Sequence, residues 1–177
     1  MSVIPADWLH AAKMTRVHLH WTGGNHKASS YDKQHYHVLI EGDGTVIRGK
    51  PSITLNSPPT KPGYAAHTLG ANSGAIGLSL CCMAEAIERP FKAGRAPLTK
   101  IQWDRASSAA AELCKRYDIR VTPKTVLSHA EVQANLGIRQ KNKWDVAILP
   151  FDRAFDTARE CGDRFRAEVA AKLGAMK

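Results

Sequence analysis

Long apolar runs are missing from this sequence. No stretch of its 177 residues approaches the roughly 20 consecutive apolar residues of a membrane-spanning helix. The opening residues, 1–7, also lack the basic segment and apolar core of a secretory leader. These absences predict a chain made in the cytoplasm without a signal peptide. A substrate outside the cytoplasm would then require a partner that lets the protein out.

Cysteine is scarce, and its four positions show no ligand spacing. Cys81 and Cys82 are adjacent on a predicted strand, whereas Cys114 and Cys161 fall on predicted helices. A free cysteine packs as a small hydrophobic side chain. The spacing indicates neither a zinc motif nor a disulfide framework, so we predict buried free thiols.

Acidic residues are outnumbered: 25 lysines and arginines face 16 aspartates and glutamates, for a formal net charge of +9. Such a charge suits a polyanionic partner, and nucleic acid, an anionic membrane surface and the bacterial envelope all meet that description. The cations are scattered, without a long run or an array of alternating basic and aromatic residues. A specific nucleic-acid partner is therefore not predicted.

The chain suits one α/β domain. Its length allows one compact core, and no repeat or linker divides residues 1–177. A capping box at 99–102 predicts the start of a helix. Apolar residues at every third or fourth position predict a C-terminal amphipathic helix over about 152–173. We expect a single domain with a central mixed β-sheet flanked by α-helices, whose core spans about 14–151.

The predicted strands place polar side chains on one face of the sheet. Alternation over 16–21 puts Val17 and Leu19 on one face and His18 and His20 on the other. Further strands are predicted over 36–40, 45–48, 75–80 and 125–128, and an Asp-Gly hairpin joins the first two of these. Loops at one end of such a sheet are expected to carry the functional site.

The C-terminal helix has two interpretations. Its apolar stripe would dock on the sheet, or its opposite face would contact and disturb an anionic envelope surface. That face carries Arg153, Arg159, Arg164, Arg166 and Lys172. Deletion of residues 152–177 separates the two interpretations, since loss of folding indicates docking and selective loss of activity on intact cells indicates the membrane role.

Histidines stand where predicted strands end. His20 leaves the first strand into a Gly-rich loop, and His129 follows the last strand. A strand fixes the direction of such a side chain and a loop leaves access for solvent, which suits a metal ligand. Taken alone, however, His20 fits a hydrogen-bonded structural histidine better than a ligand. His18 shares its face and would either support it or simply pack.

Five short segments follow one another along the chain. They are His20-Trp21-Thr22, Tyr36-His37-Val38-Leu39-Ile40 with Asp43-Gly44, the stretch from Ala66-His67 to Leu80, His129, and Lys143 with Asp145. In their order and combination, these segments resemble those of the zinc amidases of the peptidoglycan-recognition and phage-lysozyme superfamily, often called type 2 amidases. The resemblance runs from about Arg16 to Phe151.

This resemblance implies an N-acetylmuramoyl-L-alanine amidase, which cuts the bond between the glycan and the stem peptide of peptidoglycan, with one Zn²⁺ ion as cofactor. His20, His129 and Asp145 would hold the ion, and three such ligands leave a tetrahedral zinc one open position. Tyr36 would orient the attacking water. Lys143 would stabilise the oxyanion of the tetrahedral intermediate.

The resemblance also places His67 and Asn72 along the groove that receives the muramoyl peptide. The stretch from His129 to Asp145 is longer than we expect for the family. It therefore predicts an extra loop over 134–142, beside the site.

Two positions depart from the family pattern. Asp145 is followed by Val-Ala instead of the usual Pro-Gly, which leaves Glu131 as an alternative third ligand. Some members carry a glutamate as general base near the end of the central strand, where this chain has Ser79. That leaves Tyr36, or zinc-bound hydroxide itself, as the base.

Within the amidase interpretation we expect a phage or prophage endolysin, a monomer that reaches the cell wall through a holin-type pore. A cytoplasmic muropeptide-recycling amidase and an injected antibacterial effector are alternatives. A non-catalytic peptidoglycan-binding module is a third, and it would lack one of the metal ligands. Activity on intact sacculi, compared with soluble anhydro-muropeptide, would distinguish a lysin from a recycling enzyme.

Overall fold

The computed structural model describes residues 2–176 and contains a five-stranded mixed sheet. Its strands are β1 (Arg16–Trp21), β2 (Val38–Ile40), β3 (Val46–Arg48), β4 (Ala75–Leu80) and β5 (Val126–Ser128). They lie in the order β3-β2-β4-β1-β5. Only the β2–β3 hairpin is antiparallel among these pairs, whereas β1, β2, β4 and β5 run parallel. The predicted single α/β domain with a mixed sheet is confirmed.

The two faces of β1 differ as its alternation predicts. Val17 and Leu19 belong to the main hydrophobic core, together with residues of β4 and of the long helices. His18 and His20 point to the opposite face, where the loops between β3 and β4 cover them. Both histidines are fully buried, so this second face is a buried polar layer rather than a solvated surface.

Four α-helices accompany the sheet. They are α1 (Asp32–His35), α2 (Lys100–Tyr117), α3 (Val132–Leu136) and α4 (Ala158–Ala175). The two long ones, α2 and α4, pack on the apolar face of the sheet. The predicted capping box forms: the Thr99 side chain accepts from the Gln102 backbone N–H, and the Gln102 side chain accepts from the Thr99 backbone N–H. Such reciprocal bonds satisfy two of the orphan donors at a helix start.

Helix α4 docks on α2 and β5. Cys161, Phe165 and Val169 are buried along one side of it, and the Phe165 ring meets the edge of Trp103 at 5.1 Å between centroids. The helix begins at residue 158 rather than 152, because the Thr157 side chain caps it by accepting from a backbone N–H.

Strand β2 also starts later than expected, at Val38 rather than residue 36. Tyr36 ends α1, and its backbone N–H donates to Asp32. The Tyr-His pair therefore links a helix to a strand, which places the phenol at the edge of the sheet.

The four cysteines are buried and free, as predicted. Burial raises the pKa of the Cys81 thiol to about 12, and the pKa values of the other thiols are raised for the same reason. No helix within residues 2–176 is long and apolar enough to cross a membrane.

Candidate metal centre

Two neighbouring parallel strands bring the first two candidate ligands together. His20 lies near the carboxyl end of β1, and His129 opens the short 3₁₀ turn that follows β5. Because β1 and β5 pair in parallel, with Leu19 beside Ser128, the two strands end at the same edge of the sheet. The centroids of the two imidazole rings lie 4.7 Å apart.

Asp145 reaches the same point from the loop that follows α3. One carboxylate oxygen, Oδ2, lies 3.5 Å from Nδ1 of His20 and 3.5 Å from Nδ1 of His129. The three ligand atoms of this group lie within 4.8 Å of one another. His20 Nδ1 is buried and has no hydrogen-bond partner among residues 2–176, an arrangement that is costly unless a further group binds there.

The electrostatics of this group suit a cation. Burial lowers the pKa of His20 to about 4, although the nearby Asp145 carboxylate opposes that shift. Burial opposes ionisation of Asp145, but its close approach to His129 and His20 outweighs that effect and holds the carboxyl pKa well below its usual range. A neutral imidazole and an ionised carboxylate are the forms in which these side chains bind metal.

A buried polar network lies behind His20. Its other ring nitrogen, Nε2, lies 3.2 Å from His67 Nδ1 and 3.3 Å from the Thr68 hydroxyl. The same hydroxyl is 2.9 Å from His67 Nδ1 and 3.0 Å from His18 Nδ1. The Thr68 oxygen thus lies between His18, His20 and His67. These three histidines also lie close enough together to hold an ion, but the Thr68 hydroxyl already occupies the space between them.

His67 lies directly over the central strand. A side chain on Gly77 would place its Cβ 2.7 Å from the His67 ring, so the absence of a side chain there allows the close approach. Asn72 holds the same segment, because its Oδ1 accepts from the backbone N–H groups of His67 and Thr68. The network explains why the segment from 66 to 80 combines histidine, asparagine and glycine.

Tyr36 lies next to the three candidate ligands His20, His129 and Asp145, called here the metal group. Its ring centroid is 5.2 Å from that of His20. Burial raises the pKa of its phenol above the usual range, and the charge of Asp145 adds to the shift. The hydroxyl therefore stays protonated at neutral pH and is a hydrogen-bond donor. Ser79, in register with His20 on β4, is fully buried and sits behind the site.

A pocket of about 420 Å³ opens beside His129. His67, Asn72, Gln140 and the exposed Lys143 are among the residues that line it. Lys143 also contributes positive potential at His20, where it helps to lower the imidazole pKa. The structure therefore brings the seven predicted site residues together around His20 and this pocket.

Glu131, the alternative ligand, is used elsewhere. Its carboxylate forms a buried ion pair with Arg166 at 2.8 Å, and its Oε2 accepts from the Ser128 backbone N–H at 2.9 Å. Arg166 also donates to the Val126 carbonyl. Both oxygens of Glu131 are thereby occupied, and the residue ties α4 to the end of β5.

The loop around Asp145 has a strained backbone. Val146, which takes the place of the expected proline, is buried and has φ of 66°, a left-handed conformation that is unfavourable for a β-branched residue. On the other side, the Trp144 ring meets the edge of Trp21 with 4.7 Å between centroids. This contact fixes the loop beside β1.

Two polar residues at the site were not predicted from the sequence. Thr68 is the partner of three histidines, and Gln140 Oε1 accepts from His129 Nε2 at 3.0 Å. The only sequence signal for Gln140 was the extra loop expected over 134–142. Residues 134–136 of that range end α3, and the loop that carries Gln140 beside the site begins only at Gly137. Thr68 adjoins His67 but carries no pattern of its own.

Comparison with known proteins gives one family match. The model described as N-acetylmuramoyl-L-alanine amidase matches residues 10–147. Curated protein sequences gave no match.

Several solved structures are similar in fold. The endolysin N-acetylmuramoyl-L-alanine amidase LysCS from Clostridium intestinale has a TM-score of 0.52 at 17% identity, over 98% of this chain and 91% of that chain. The hydrolase AmiA from Staphylococcus aureus, in complex with its ligand, has a TM-score of 0.56 at 13% identity, over 92% and 76%. The endolysin of a Thermus scotoductus bacteriophage has a TM-score of 0.50 at 15% identity, over 93% and 87%.

Proposed function

The chain belongs to the N-acetylmuramoyl-L-alanine amidase family, and we propose that one zinc ion held by His20, His129 and Asp145 is its cofactor. The observation that carries the proposal is the convergence of three ligand atoms within 4.8 Å, one of which is a buried imidazole nitrogen with no hydrogen-bond partner in the described part of the chain. Two imidazoles and one carboxylate form the donor set of a hydrolytic zinc site.

Zinc bound by these groups would leave one position open, and it would supply an activated water and a polarised carbonyl. Tyr36 has the position and the protonation state to donate a hydrogen bond beside that opening. Lys143 lines the pocket with an exposed side chain, and it would stabilise negative charge that develops on the scissile carbonyl oxygen. His67 and Asn72 would shape the wall along which the muramoyl peptide lies.

We assign the biological role of a phage or prophage endolysin. Two of the structures similar in fold are named endolysins, which supports this role. The protein would act as a monomer, would be made in the cytoplasm and would reach peptidoglycan after release through a holin-type pore. The excess of positive charge favours contact with an anionic envelope.

The test is mass spectrometry of purified sacculi digested by the zinc-loaded protein. We expect intact stem peptides to be released from unbroken glycan, and a chelator to abolish the release. Loss of a partner that only orients a ligand costs about 10- to 100-fold, so Asp145→Ala, which removes a ligand, should lower the rate by more than about 100-fold. Asp43→Ala, on the exposed hairpin, is the matched control and should release peptide at the rate of the unaltered protein.

Other outcomes identify other functions. Release that survives Asp145→Ala would show that the third ligand lies elsewhere. No release with any metal would leave a peptidoglycan-binding module. Faster cleavage of soluble anhydro-muropeptide than of sacculi would indicate a recycling enzyme rather than a lysin.

A further inference from the structure

Gln140 contacts His129 on the side away from the metal group. Its Oε1 lies 3.0 Å from His129 Nε2, while Nδ1 of the same ring faces Asp145. An amide oxygen can only accept a hydrogen bond, so the contact requires a proton on Nε2. A neutral imidazole protonated at Nε2 carries its free lone pair on Nδ1. That is the nitrogen that faces the metal group.

The amide of Gln140 can adopt only one orientation here. Its Nε2 donates to the Leu69 carbonyl at 2.9 Å and to the Ile138 carbonyl at 3.3 Å. If the amide were turned over, its oxygen would face two carbonyl oxygens. The side chain is also restrained by burial, whereas the bond to Gln133 Oε1, at 2.9 Å, comes from the Gln140 backbone N–H and not from its amide group.

The ring of His20 is held by different contacts. Its distal nitrogen contacts His67 and Thr68 from the loop before β4, whereas the distal nitrogen of His129 depends on the loop over 134–142. That loop is the segment that is longer than expected for the family, and through Leu69 it also reaches the wall of the pocket.

We propose that Gln140 is a positioning residue for metal binding: it fixes the tautomer and the ring orientation of His129, and it ties this ring to the pocket wall. The inference rests on the proposed zinc function. Partners that hold the outer nitrogen of a metal-binding histidine contribute about 10- to 100-fold in metal affinity, which sets the size of the effect to expect.

The first readout needs no metal and no activity. Long-range ¹H–¹⁵N correlation spectra of the full-length, chelated protein report the tautomer of each histidine. We expect His129 to carry its proton on Nε2. In Gln140→Met, which keeps the side-chain length but removes both hydrogen-bonding groups, the spectra should show a mixture of tautomers.

The second readout is the dissociation constant for zinc, measured by competition with a chromophoric chelator. Gln140→Met should weaken binding by about 10- to 100-fold. Gln133→Met is the matched control, because it removes support from the same loop and leaves the Gln140–His129 contact in place; its affinity should equal that of the unaltered protein.

An unchanged His129 tautomer and zinc affinity in Gln140→Met would overturn the proposal. So would an equal loss of affinity in Gln133→Met, since loop order alone would then explain the effect. If Gln140→Met does not fold, Gln140→Asn, which withdraws the amide by one methylene group, should shift both readouts in the same direction. Failure of the unaltered protein to bind zinc would refute the zinc function, and the tautomer measurement would still test the Gln140 contact by itself.

Discussion

At the scale of single residues, burial of neutral imidazole groups dominates the site face. His37 is an example outside the ligand group. Its Nδ1 accepts from the Gly77 backbone N–H at 2.9 Å, and its Nε2 lies 3.0 Å from Asn56 Oδ1. Burial lowers its pKa to about 4, against the partial compensation of the Asn56 contact.

This depressed pKa predicts a loss of stability in mild acid. In the unfolded chain a histidine titrates near pH 6.5, so between about pH 6.5 and 4 the unfolded state binds one proton more than the folded state. The contribution of His37 is complete above pH 6.5 and is lost as the pH falls towards 4. From pH 7 to pH 5 the free energy of unfolding should fall by about 2 kcal/mol through this residue alone.

Urea unfolding of the chelated protein at pH 7 and pH 5 measures this loss. His37→Gln removes the titrating group, so its free energy of unfolding should depend less on pH by about 2 kcal/mol. The same pH dependence in both proteins would show that other buried histidines, such as His67, cause the acid sensitivity.

Sequence patterns predicted the candidate metal ligands better than the residues that hold those ligands in position. His20, His129 and Asp145 stand at strand ends or in family segments, and the structure brings them together. Thr68 and Gln140 could not be predicted, because each acts through a contact between segments far apart in the chain. Such contacts depend on how two loops fold over the sheet, and neither loop carries a periodic pattern.

At the scale of elements, α4 contains two glycines at which a change to alanine should affect stability in opposite ways. A Cβ on Gly162 would overlap the buried Glu131 carboxylate, whereas a Cβ on Gly174 would meet no atom within 4 Å. Both positions are helical, and alanine is favoured over glycine inside a helix by up to about 1 kcal/mol.

Gly162→Ala should therefore destabilise the protein by about 1–3 kcal/mol, because the extra methyl group forces the Glu131–Arg166 pair apart. Gly174→Ala should leave stability unchanged or raise it by a few tenths of a kcal/mol, because the end of the helix frays. Thermal unfolding of the two variants decides the matter. Equal stability in the two would mean that the ion pair shifts without cost.

Local patterns predicted the types of the elements, but they predicted the ends of only some of them. Alternation predicted β1, and the capping box predicted the start of α2. The start of α4 was placed six residues too early, because its apolar repeat continues back to Phe151, whereas the helix itself begins only after the Thr157 cap. Where a repeat and a cap disagree, the cap decides, since unsatisfied N–H groups at a helix start are costly.

At the scale of the whole molecule, α4 presents less positive charge on its outer face than its number of arginines and lysines suggests. Arg164 pairs with Asp152 at 2.6 Å and with Glu168 at 3.2 Å. The ammonium group of Lys172 donates to Ser107 and Ser108 of α2. Arg166 is buried against Glu131, so three of the five cations that the sequence assigned to that face serve the fold, and a fourth, Arg153, precedes the helix.

Deletion of residues 152–177 should therefore abolish folding, because it exposes the core side of α2 and leaves Glu131 as an unpaired buried charge, which alone costs about 3–5 kcal/mol. Circular dichroism and amide NMR spectra of the shortened chain test this. The double variant Arg153→Gln/Arg159→Gln, which removes outward charges and leaves the docked side intact, should fold and lyse cells like the unaltered protein. A folded, shortened chain that cleaves soluble substrate but spares intact cells would instead favour the envelope role.

The packing of Trp144 against Trp21 gives the site an optical signal. One of these indoles immediately follows His20, and the other immediately precedes Asp145, so any shift between the two ligand-bearing segments changes the environment of both rings. Zinc has a filled d shell and no redox chemistry, so a change in tryptophan emission during zinc titration would report the geometry of the loop. Binding of the proposed zinc ion should therefore be measurable by the protein's own fluorescence, without a label or a substrate.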